Sequence, residues 1–177
     1  MRDLTGGMGV EELWRRWLSS PWVRRFESGR CSPQAFAEGV VAEWGLPTSP
    51  TEFLASFRGW PTGPLAGAEA LVRDVAEIAE VGCLSNTNHL HWSDWAGNWP
   101  LVDLIGRRFL SFQLGMLKPD REIFDHIVVK TGLAPARILF LDDNQINVDG
   151  AMSAGFRAVR VEGSTAARRA LEGAGVL

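Results

Sequence analysis

The sequence is poor in cysteine and contains no long apolar run. Its two cysteines, Cys31 and Cys83, form no Cys-x-x-Cys pair and lie in no Cys/His cluster, which excludes a disulfide framework and a zinc scaffold and indicates reduced thiols. No apolar run approaches the roughly 18 residues of a membrane span, and the first ten residues lack the apolar stretch of a signal peptide. We therefore expect a cytoplasmic protein that has no membrane partner.

The chain also lacks an excess of positive charge. Its 18 Lys and Arg stand against 21 Asp and Glu, for a net charge of −3. Without a basic excess to neutralise phosphates, we expect no nucleic-acid partner. The length of 177 residues, with 46% apolar and 22% charged residues, suits one soluble domain or one domain with a small insert.

Two residue types are scarce. Tyrosine is absent although there are eight tryptophans, and only Lys118 and Lys130 are lysines among the 18 basic residues. In a chain that otherwise uses arginine, a lysine is notable where a compact charge on a flexible stem is useful.

The first third of the chain has the patterns of short helices. Apolar residues share one helical face over 11–18, and Ser32 followed by Pro33 is typical of a helix start, with Gly45 at its end. The segment SPTE at 49–52 is a capping-box pattern that opens a third helix. The composition changes near Pro61–Pro64, which we take as the end of a small helical module.

The rest of the chain alternates helical and strand patterns. Apolar runs at 81–84, 138–141 and 156–161 predict strands, and helices are predicted over 66–80, from Pro119 onward, and up to Gly155. Continuous apolar strands between helices indicate a parallel sheet covered on both faces. Ligands bind such sheets beyond the carboxyl ends of the strands.

Two polar segments follow strands directly. Asp142 and Asp143 end one apolar run, and two adjacent carboxylates suit a hard cation such as Mg²⁺, although a solvated turn that caps the next helix has the same pattern. Ser85 and Asn86 end another run. Their hydroxyl and backbone N–H groups suit a phosphate oxygen, and equally an ordinary turn.

Two further side chains are candidates for the same site. Lys118 precedes Pro119 at a predicted helix start, where the helix dipole disfavours a cation, so it either faces an anion or is a surface charge. Asn147 is placed so that its amide can turn toward the Asp142–Asp143 loop, or it is an exposed helix residue.

A cluster of histidine and tryptophan follows the Ser85–Asn86 turn. His89 and His91 have no third ligand nearby for a metal, so we assign them, with Trp92, a structural role or a place at the rim of a substrate site. Four tryptophans earlier in the chain are further candidates to face a substrate, although packing suits each of them as well; these are Trp14, Trp17, Trp22 and Trp44.

The order of the motifs resembles a known family. The segments LSNTN at 84–88, GMLKP at 115–119 and FLDDN at 140–144, the last followed by Asn147, are similar to motifs two, three and four of the haloacid dehalogenase-like (HAD) hydrolase superfamily. FESG at 26–29 resembles its helical cap of the kind inserted after the first strand. The residues of these motifs are similar to those of the sugar-phosphate phosphatases of the glucose-1-phosphatase type.

That resemblance implies a fold and a site. The fold would be α/β, a Rossmann-like parallel sheet with a small all-helical cap domain, with residues 1–62 forming the cap and residues 63–177 the core. Ser85 and Lys118 would act in catalysis and, with Asn86, bind the phosphoryl group. Asp142 and Asp143 would hold Mg²⁺, supported by Asn147.

The implied activity is that of a Mg²⁺-dependent phosphatase. Its substrate would be a small phosphorylated metabolite such as a sugar phosphate, and the reaction would pass through an aspartyl phosphate. Cations are needed because a carboxylate that attacks a phosphate dianion meets strong repulsion.

The family's nucleophile motif has no counterpart. DLTGG at 3–7 is superficially similar, but only two residues precede it and no strand can carry it. We therefore expect that the first strand is missing, that the cap is truncated at its N-terminal side, and that the chain as written is inactive. A late start codon, gene decay or a second chain would each explain an absence of about 20–30 residues.

Other functions remain open on the sequence alone. A 2-haloacid dehalogenase would leave the acidic pair Asp142–Asp143 without a counter-ion, and a non-catalytic HAD-like binding protein would account for the missing nucleophile. A receiver domain has its acid pair at the first strand and its lysine last, which is not the order found here. The sequence indicates neither the exact substrate nor the oligomeric state.

Overall fold

The computed structural model describes residues 9–95 and 98–177. The first part consists of four helices, which are α1 (Val10–Ser19), α2 (Pro21–Glu27), α3 (Pro33–Trp44) and α4 (Pro50–Arg58). Residues 3–7, with the DLTGG segment, lie outside the described residues.

Serine caps set the starts of three of these helices. The Ser32 hydroxyl accepts the Ala35 N–H at 3.2 Å, and Ser49 and Glu52 form a reciprocal capping box, which confirms both predicted starts. Gly45 ends α3 at φ 60°, a left-handed conformation that favours glycine. The helix α2 was not predicted, because seven residues are too few to show a helical period.

The four helices enclose an aromatic core of their own. Phe26, Phe36 and Phe53 are fully buried, and the rings of Phe26 and Phe36 stack with centroids 4.3 Å apart. Burying one such side chain stabilises the fold by roughly 1.5–3 kcal/mol. Trp17 joins this core edge-on to Phe36 at 6.2 Å, so α1 is fastened to it by the apolar face predicted over 11–18.

The second part alternates helices and parallel strands, as expected of an α/β core. Its elements are α5 (Ala68–Ala76), β1 (Gly82–Ser85), α6 (His89–Trp95), α7 (Pro100–Asp103), β2 (Arg107–Leu110), α8 (Ser111–Leu114), α9 (Arg121–Thr131), β3 (Leu139–Asp142), α10 (Gln145–Ser153), β4 (Arg157–Arg160) and α11 (Gly163–Gly173).

Most predicted elements are present, with shifted ends. The three predicted strands correspond to β1, β3 and β4. Helix α9 begins at Arg121 and not at Pro119, so the predicted start is wrong, and Lys118 lies in the turn before the helix. The strand β2 was not predicted, because two of its four residues are arginines.

The four strands form two separate parallel sheets. β1 pairs with β2 so that Ser85 lies opposite Leu110, and β3 pairs with β4 so that Asp142 lies opposite Arg160. Within the described residues, β1 and β3 are not hydrogen-bonded to each other. Side chains of both sheets pack against the cluster around Phe124 of α9, which holds the two sheets on one core.

The strands β1 and β3 are incompletely covered. All four residues of β3 are half-buried, as are three of the four in β1, whereas the strands of a doubly covered parallel sheet are buried on both faces. Each of the two strands also pairs on one edge only, so the backbone groups of its other edge have no partner in a described strand.

No helix in ranges 9–95 and 98–177 is long and apolar enough to cross a membrane.

Candidate active site

The end of β1 is fixed to the turn that carries Lys118. The Asn86 Nδ2 donates to the Lys118 carbonyl at 2.9 Å, and the Lys118 N–H donates to Asn86 Oδ1 at the same distance. The two bonds use one N–H and the oxygen of the amide. Asn86 is thus a positioning residue that sets Lys118 beside Ser85, and one amide N–H remains for a ligand.

The lysine is buried against one of the two predicted metal ligands. Lys118 Nζ donates to Asp142 Oδ2 at 2.7 Å, and the two side chains are only 9% and 7% exposed. Asp142 Oδ1 also accepts the Asn144 N–H at 2.8 Å and Asn147 Nδ2 at 3.0 Å. A buried ion pair is favourable only when its remaining groups are hydrogen-bonded, and on the side of Asp142 the second carboxylate oxygen meets this condition.

Asp143 differs from its neighbour in having no counter-charge in contact among residues 9–95 and 98–177. Its carboxylate lines the same cleft, is exposed and accepts no hydrogen bond from the described residues, while its backbone carbonyl accepts Arg160 Nε at 3.0 Å. The acidic pair thus contains one neutralised carboxylate and one that is available to a cation.

Two buried polar atoms beside this pair lack partners among the described residues. They are Asn147 Oδ1 and Thr87 Oγ1, in residues that are 6% and 2% exposed. Thr87 is fixed through its backbone, because its N–H donates to Ser111 Oγ at 2.9 Å. Unpaired buried polar atoms are rare and costly, so their presence in one cleft indicates a site built for a polar ligand.

The predicted catalytic, phosphate-binding and metal residues meet in one cleft of about 470 Å³. It is lined on one side by Ser85, Asn86, Lys118, Asp142, Asp143 and Asn147, from the ends of β1 and β3 and the turn before α9. The opposite side is formed by side chains of the helical part, mostly apolar. Sequence reasoning therefore located the polar residues that the fold brings together.

The donors available suit a hard cation in part. Asp143 and the unpaired Asn147 Oδ1 are oxygen donors, which Mg²⁺ prefers. Within ranges 9–95 and 98–177, no group of three or more His, Cys, Asp or Glu could hold a metal ion. The described residues thus offer some oxygen donors of the kind that magnesium prefers, but no complete set of ligands.

Of the three residues predicted for the rim of a substrate site, only one lines the cleft. His91 lines the cleft, but its ring contacts the Phe57 carbonyl at 2.8 Å and Asn88 at 3.2 Å, and burial lowers its pKa, which favours a structural neutral imidazole. His89 is exposed and lies edge-on to a phenylalanine of α2, and Trp92 packs beside Trp95 at 6.2 Å. The structure does not place His89 or Trp92 in the cleft lining.

Glu27 was not predicted as a site residue. It lies at the end of α2, lines the cleft and accepts Trp17 Nε1 at 3.3 Å. Burial raises its pKa to about 7, and the Trp17 hydrogen bond and the charges of Lys118 and Arg24 oppose that rise. The available signal was an acidic residue in the apolar α2 segment, next to Phe26.

Of the four earlier tryptophans predicted to face a substrate, two line the cleft and two pack inside the helical part. Trp14 and Trp17 line the cleft, together with Trp60 and Trp95. Trp44 is buried in the helical core, and the ring of Trp22 lies against Gly39, so close that a Cβ there would fall 2.0 Å from it.

Comparison with known proteins identifies the fold. No family model matches the chain. A D-ribitol-5-phosphate phosphatase of Bacteroides thetaiotaomicron is 36% identical over 86 residues, which cover 45% of this chain and only 41% of that protein. A sesquiterpene phosphatase of Aspergillus oryzae is 29% identical over 161 residues, 84% of this chain and 76% of that protein.

A solved structure agrees. A HAD family enzyme from Bacteroides thetaiotaomicron, in complex with magnesium and inorganic phosphate, matches with a TM-score of 0.68 at 23% identity, over 92% of this chain and 85% of that one. The chain has the fold of the haloacid dehalogenase-like superfamily, and the resemblance that its three motifs predicted is confirmed.

Proposed function

We propose that this chain is the larger part of a Mg²⁺-dependent phosphatase of the HAD type that acts on a small phosphorylated metabolite. The observation that carries the proposal is the buried pair of Lys118 and Asp142, which lies in the same cleft as the ends of β1 and β3. Unpaired polar atoms of Thr87 and Asn147 beside it support a polar ligand there.

Each polar side chain has a role in this proposal. Ser85 hydrogen-bonds the phosphoryl group, Asn86 holds Lys118 in place, and Lys118 offsets the charge of the phosphate and of the attacking carboxylate. Asp143 and Asn147 would hold Mg²⁺ together with Asp142. When bound, that ion supplies positive charge that lowers the repulsion between two anions.

The proposed reaction is covalent, with an aspartate as nucleophile. Its carboxylate oxygen forms a bond to phosphorus while the P–O bond to the alcohol breaks, and the departing alkoxide takes up a proton from the solvent. Water then attacks the phosphorus of the aspartyl phosphate and gives its proton to the solvent, which breaks the bond to the aspartate and releases inorganic phosphate. The acids that line the cleft within the described ranges do not suit this role. Asp142 is paired with Lys118, Glu27 is buried under Trp17, and Asp143 is assigned to the cation.

We propose that the nucleophile comes from a strand outside this chain, placed between β1 and β3. The edge of each strand that no described strand pairs supports that position. In the same scheme, residues 1–62 are a cap and residues 63–177 the core, which agrees with the separate aromatic core of the helices α1–α4.

The relatives support the class of reaction and leave the alcohol open. Both are named as phosphatases, one for a polyol phosphate and one for a sesquiterpene substrate. Both names indicate removal of phosphate from a phosphomonoester. A sugar phosphate would be a polar substrate of this kind, as D-ribitol 5-phosphate is.

The first test is binding of inorganic phosphate to this chain by calorimetry, with and without Mg²⁺. We expect binding that Mg²⁺ strengthens. Lys118→Met should abolish it, whereas Lys130→Met, which removes the other lysine from the exposed end of α9, should leave it unchanged. Asp143→Asn should remove the Mg²⁺ effect, with the exposed Asp103→Asn as its control. Equal binding by all four variants would contradict the site.

The second test is release of phosphate from p-nitrophenyl phosphate and a panel of phosphate esters. We expect none from this chain and turnover from a chain extended by the residues encoded upstream. In that longer chain, Lys118→Met should lower the rate on the order of 10²–10³-fold, as for other charge-stabilising groups. Halide release from 2-chloropropionate without metal would instead show a dehalogenase.

A further inference from the structure

The cleft has a polar end and an apolar half. The polar end is the site of Ser85, Lys118 and Asp142 described above. The apolar half is formed by α1, by α4 with the residues that follow it, and by α6. Its lining side chains are Leu13, Trp14, Leu18, Phe57, Trp60 and Trp95.

Three polar side chains of the apolar half are already hydrogen-bonded inside the protein. Trp17 Nε1 donates to Glu27 Oε1 at 3.3 Å, His91 Nε2 lies 2.8 Å from the Phe57 carbonyl, and Trp60 Nε1 donates to a serine hydroxyl one turn earlier. A polyol in this half would leave several of its hydroxyls unpaired, and each unpaired group costs binding free energy.

The charge of this half is also low. Glu27 and His91 are its titratable side chains among the described residues that line it. Burial raises the pKa of Glu27 to about 7 and lowers the pKa of His91, so it favours the uncharged form of both.

One aromatic side chain at this half remains largely in water. Trp14 is 45% exposed, although Trp17, one turn later in the same helix, is 7% exposed. An exposed indole that borders a phosphate site is a surface that an apolar ligand can cover.

We propose that this cleft selects the phosphate ester of an apolar alcohol, whose hydrocarbon part lies against Trp14, Trp60 and Leu18 while the phosphate lies at Lys118. This inference rests on the proposed function, since the polar end must hold the phosphoryl group. It narrows that function, because it predicts that sugar phosphates bind more weakly than aliphatic and aromatic phosphates.

The test is calorimetric binding to this chain, in Mg²⁺, of inorganic phosphate, glucose 6-phosphate, and butyl, hexyl and octyl phosphate. We expect each added methylene to tighten binding about fourfold, in line with the burial of one CH₂ group. Octyl phosphate should bind at least 10-fold more tightly than glucose 6-phosphate.

Variants identify the surface. Trp14→Ala should weaken octyl phosphate binding several-fold and leave inorganic phosphate binding unchanged, and Trp14→Leu should restore most of the loss. Ile78→Ala removes another exposed apolar side chain, outside the cleft lining, and should change neither.

The outcomes separate the two proposals. If inorganic phosphate binds but chain length has no effect, or glucose 6-phosphate binds best, the apolar inference is wrong and the phosphatase site stands. A chain-length effect that Trp14→Ala does not change also overturns the inference, since the chain then lies elsewhere. If octanol binds as tightly as octyl phosphate, the polar end contributes nothing and both proposals fail.

Discussion

At the scale of single residues, the site depends on how two buried acids are treated differently. Asp142 accepts three hydrogen bonds, one of them from the Lys118 ammonium, so both of its carboxylate oxygens have partners. Glu27 accepts one hydrogen bond, from Trp17, and its pKa rises from 4.5 to about 7 because burial disfavours its charge. Asp142 therefore holds the Lys118 ammonium in place, and Glu27 makes the stability of the fold sensitive to pH.

The prediction for Glu27 concerns stability against pH. Between about pH 4.5 and pH 7 the folded chain holds a proton on Glu27 that the unfolded chain has lost, so the free energy of unfolding falls as pH rises through this range. The expected loss is on the order of 3 kcal/mol, complete above pH 7. Lys118 and Arg24, the cations that face this carboxyl, act to reduce it.

Glu27→Gln tests this directly, because the amide oxygen can still accept the Trp17 N–H while the titration is gone. Urea unfolding of the variant and the wild type should give similar free energies at pH 5 and a more stable variant at pH 8. Glu11→Gln, at an exposed acid of α1, is the control and should follow the wild type. Parallel curves for Glu27→Gln and the wild type would show that the carboxyl does not carry the raised pKa.

At the scale of elements, the helical part is held by caps as well as by its aromatic core. In α4, the Ser49 hydroxyl accepts the Glu52 N–H at 3.2 Å, and the Glu52 carboxylate accepts the Ser49 N–H at 3.0 Å. Ser49→Ala removes the first bond, and we expect it to lower the free energy of unfolding by about 1 kcal/mol. Thr51→Ala, at an exposed position of the same helix turn, should cost much less. Equal losses from both changes in urea unfolding would assign the effect to helix propensity and not to the cap.

Sequence reasoning was most successful where one local signal fixes an element. The Ser-Pro starts of α3 and α4, and apolar runs that stop at polar residues in β1 and β3, follow from rules that act within a few residues. It missed the strand β2 and several short or terminal helices, which are α2, α6, α7, α8 and α11. In β2, Arg107 donates to the Lys130 carbonyl and Arg108 to the Ile105 carbonyl, contacts that the local pattern does not contain.

The sequence indicated the polar residues that line the cleft, whereas in the apolar half it indicated Trp14, Trp17 and His91 but not Glu27 or Trp60. Polar residues at strand ends converge because parallel strands end at one edge of a sheet, which is a rule of topology. Glu27 and Trp60 enter the cleft through the packing of helices, and no spacing in the sequence specifies which face of a short helix meets another segment. The pairing of Lys118 with Asp142 likewise needed the fold, since 24 positions separate them.

At the scale of the whole molecule, the unpaired edges of β1 and β3 predict which backbone amides are protected from hydrogen exchange. In a parallel sheet alternate residues of a strand pair with alternate neighbours, so about half of the amides in 82–85 and 139–142 point away from β2 and β4. No described strand pairs them, and we expect these amides to exchange with deuterium quickly in this chain, while the other half are protected by the pairing that the structure shows.

Supplying a strand should change only one set of these amides. In a chain extended by the residues encoded upstream, the unpaired amides of β1 and β3 should become protected together, because one parallel strand would pair with both edges, whereas the amides already paired with β2 and β4 should change little. Site-resolved exchange by NMR distinguishes the two sets. Protection of both sets in this chain alone would mean that these edges are already paired, and the cleft would then have no place for a strand that carries the nucleophile. Protection of the β1 edge without the β3 edge would place the added strand outside the gap, away from the Lys118–Asp142 pair that it has to reach.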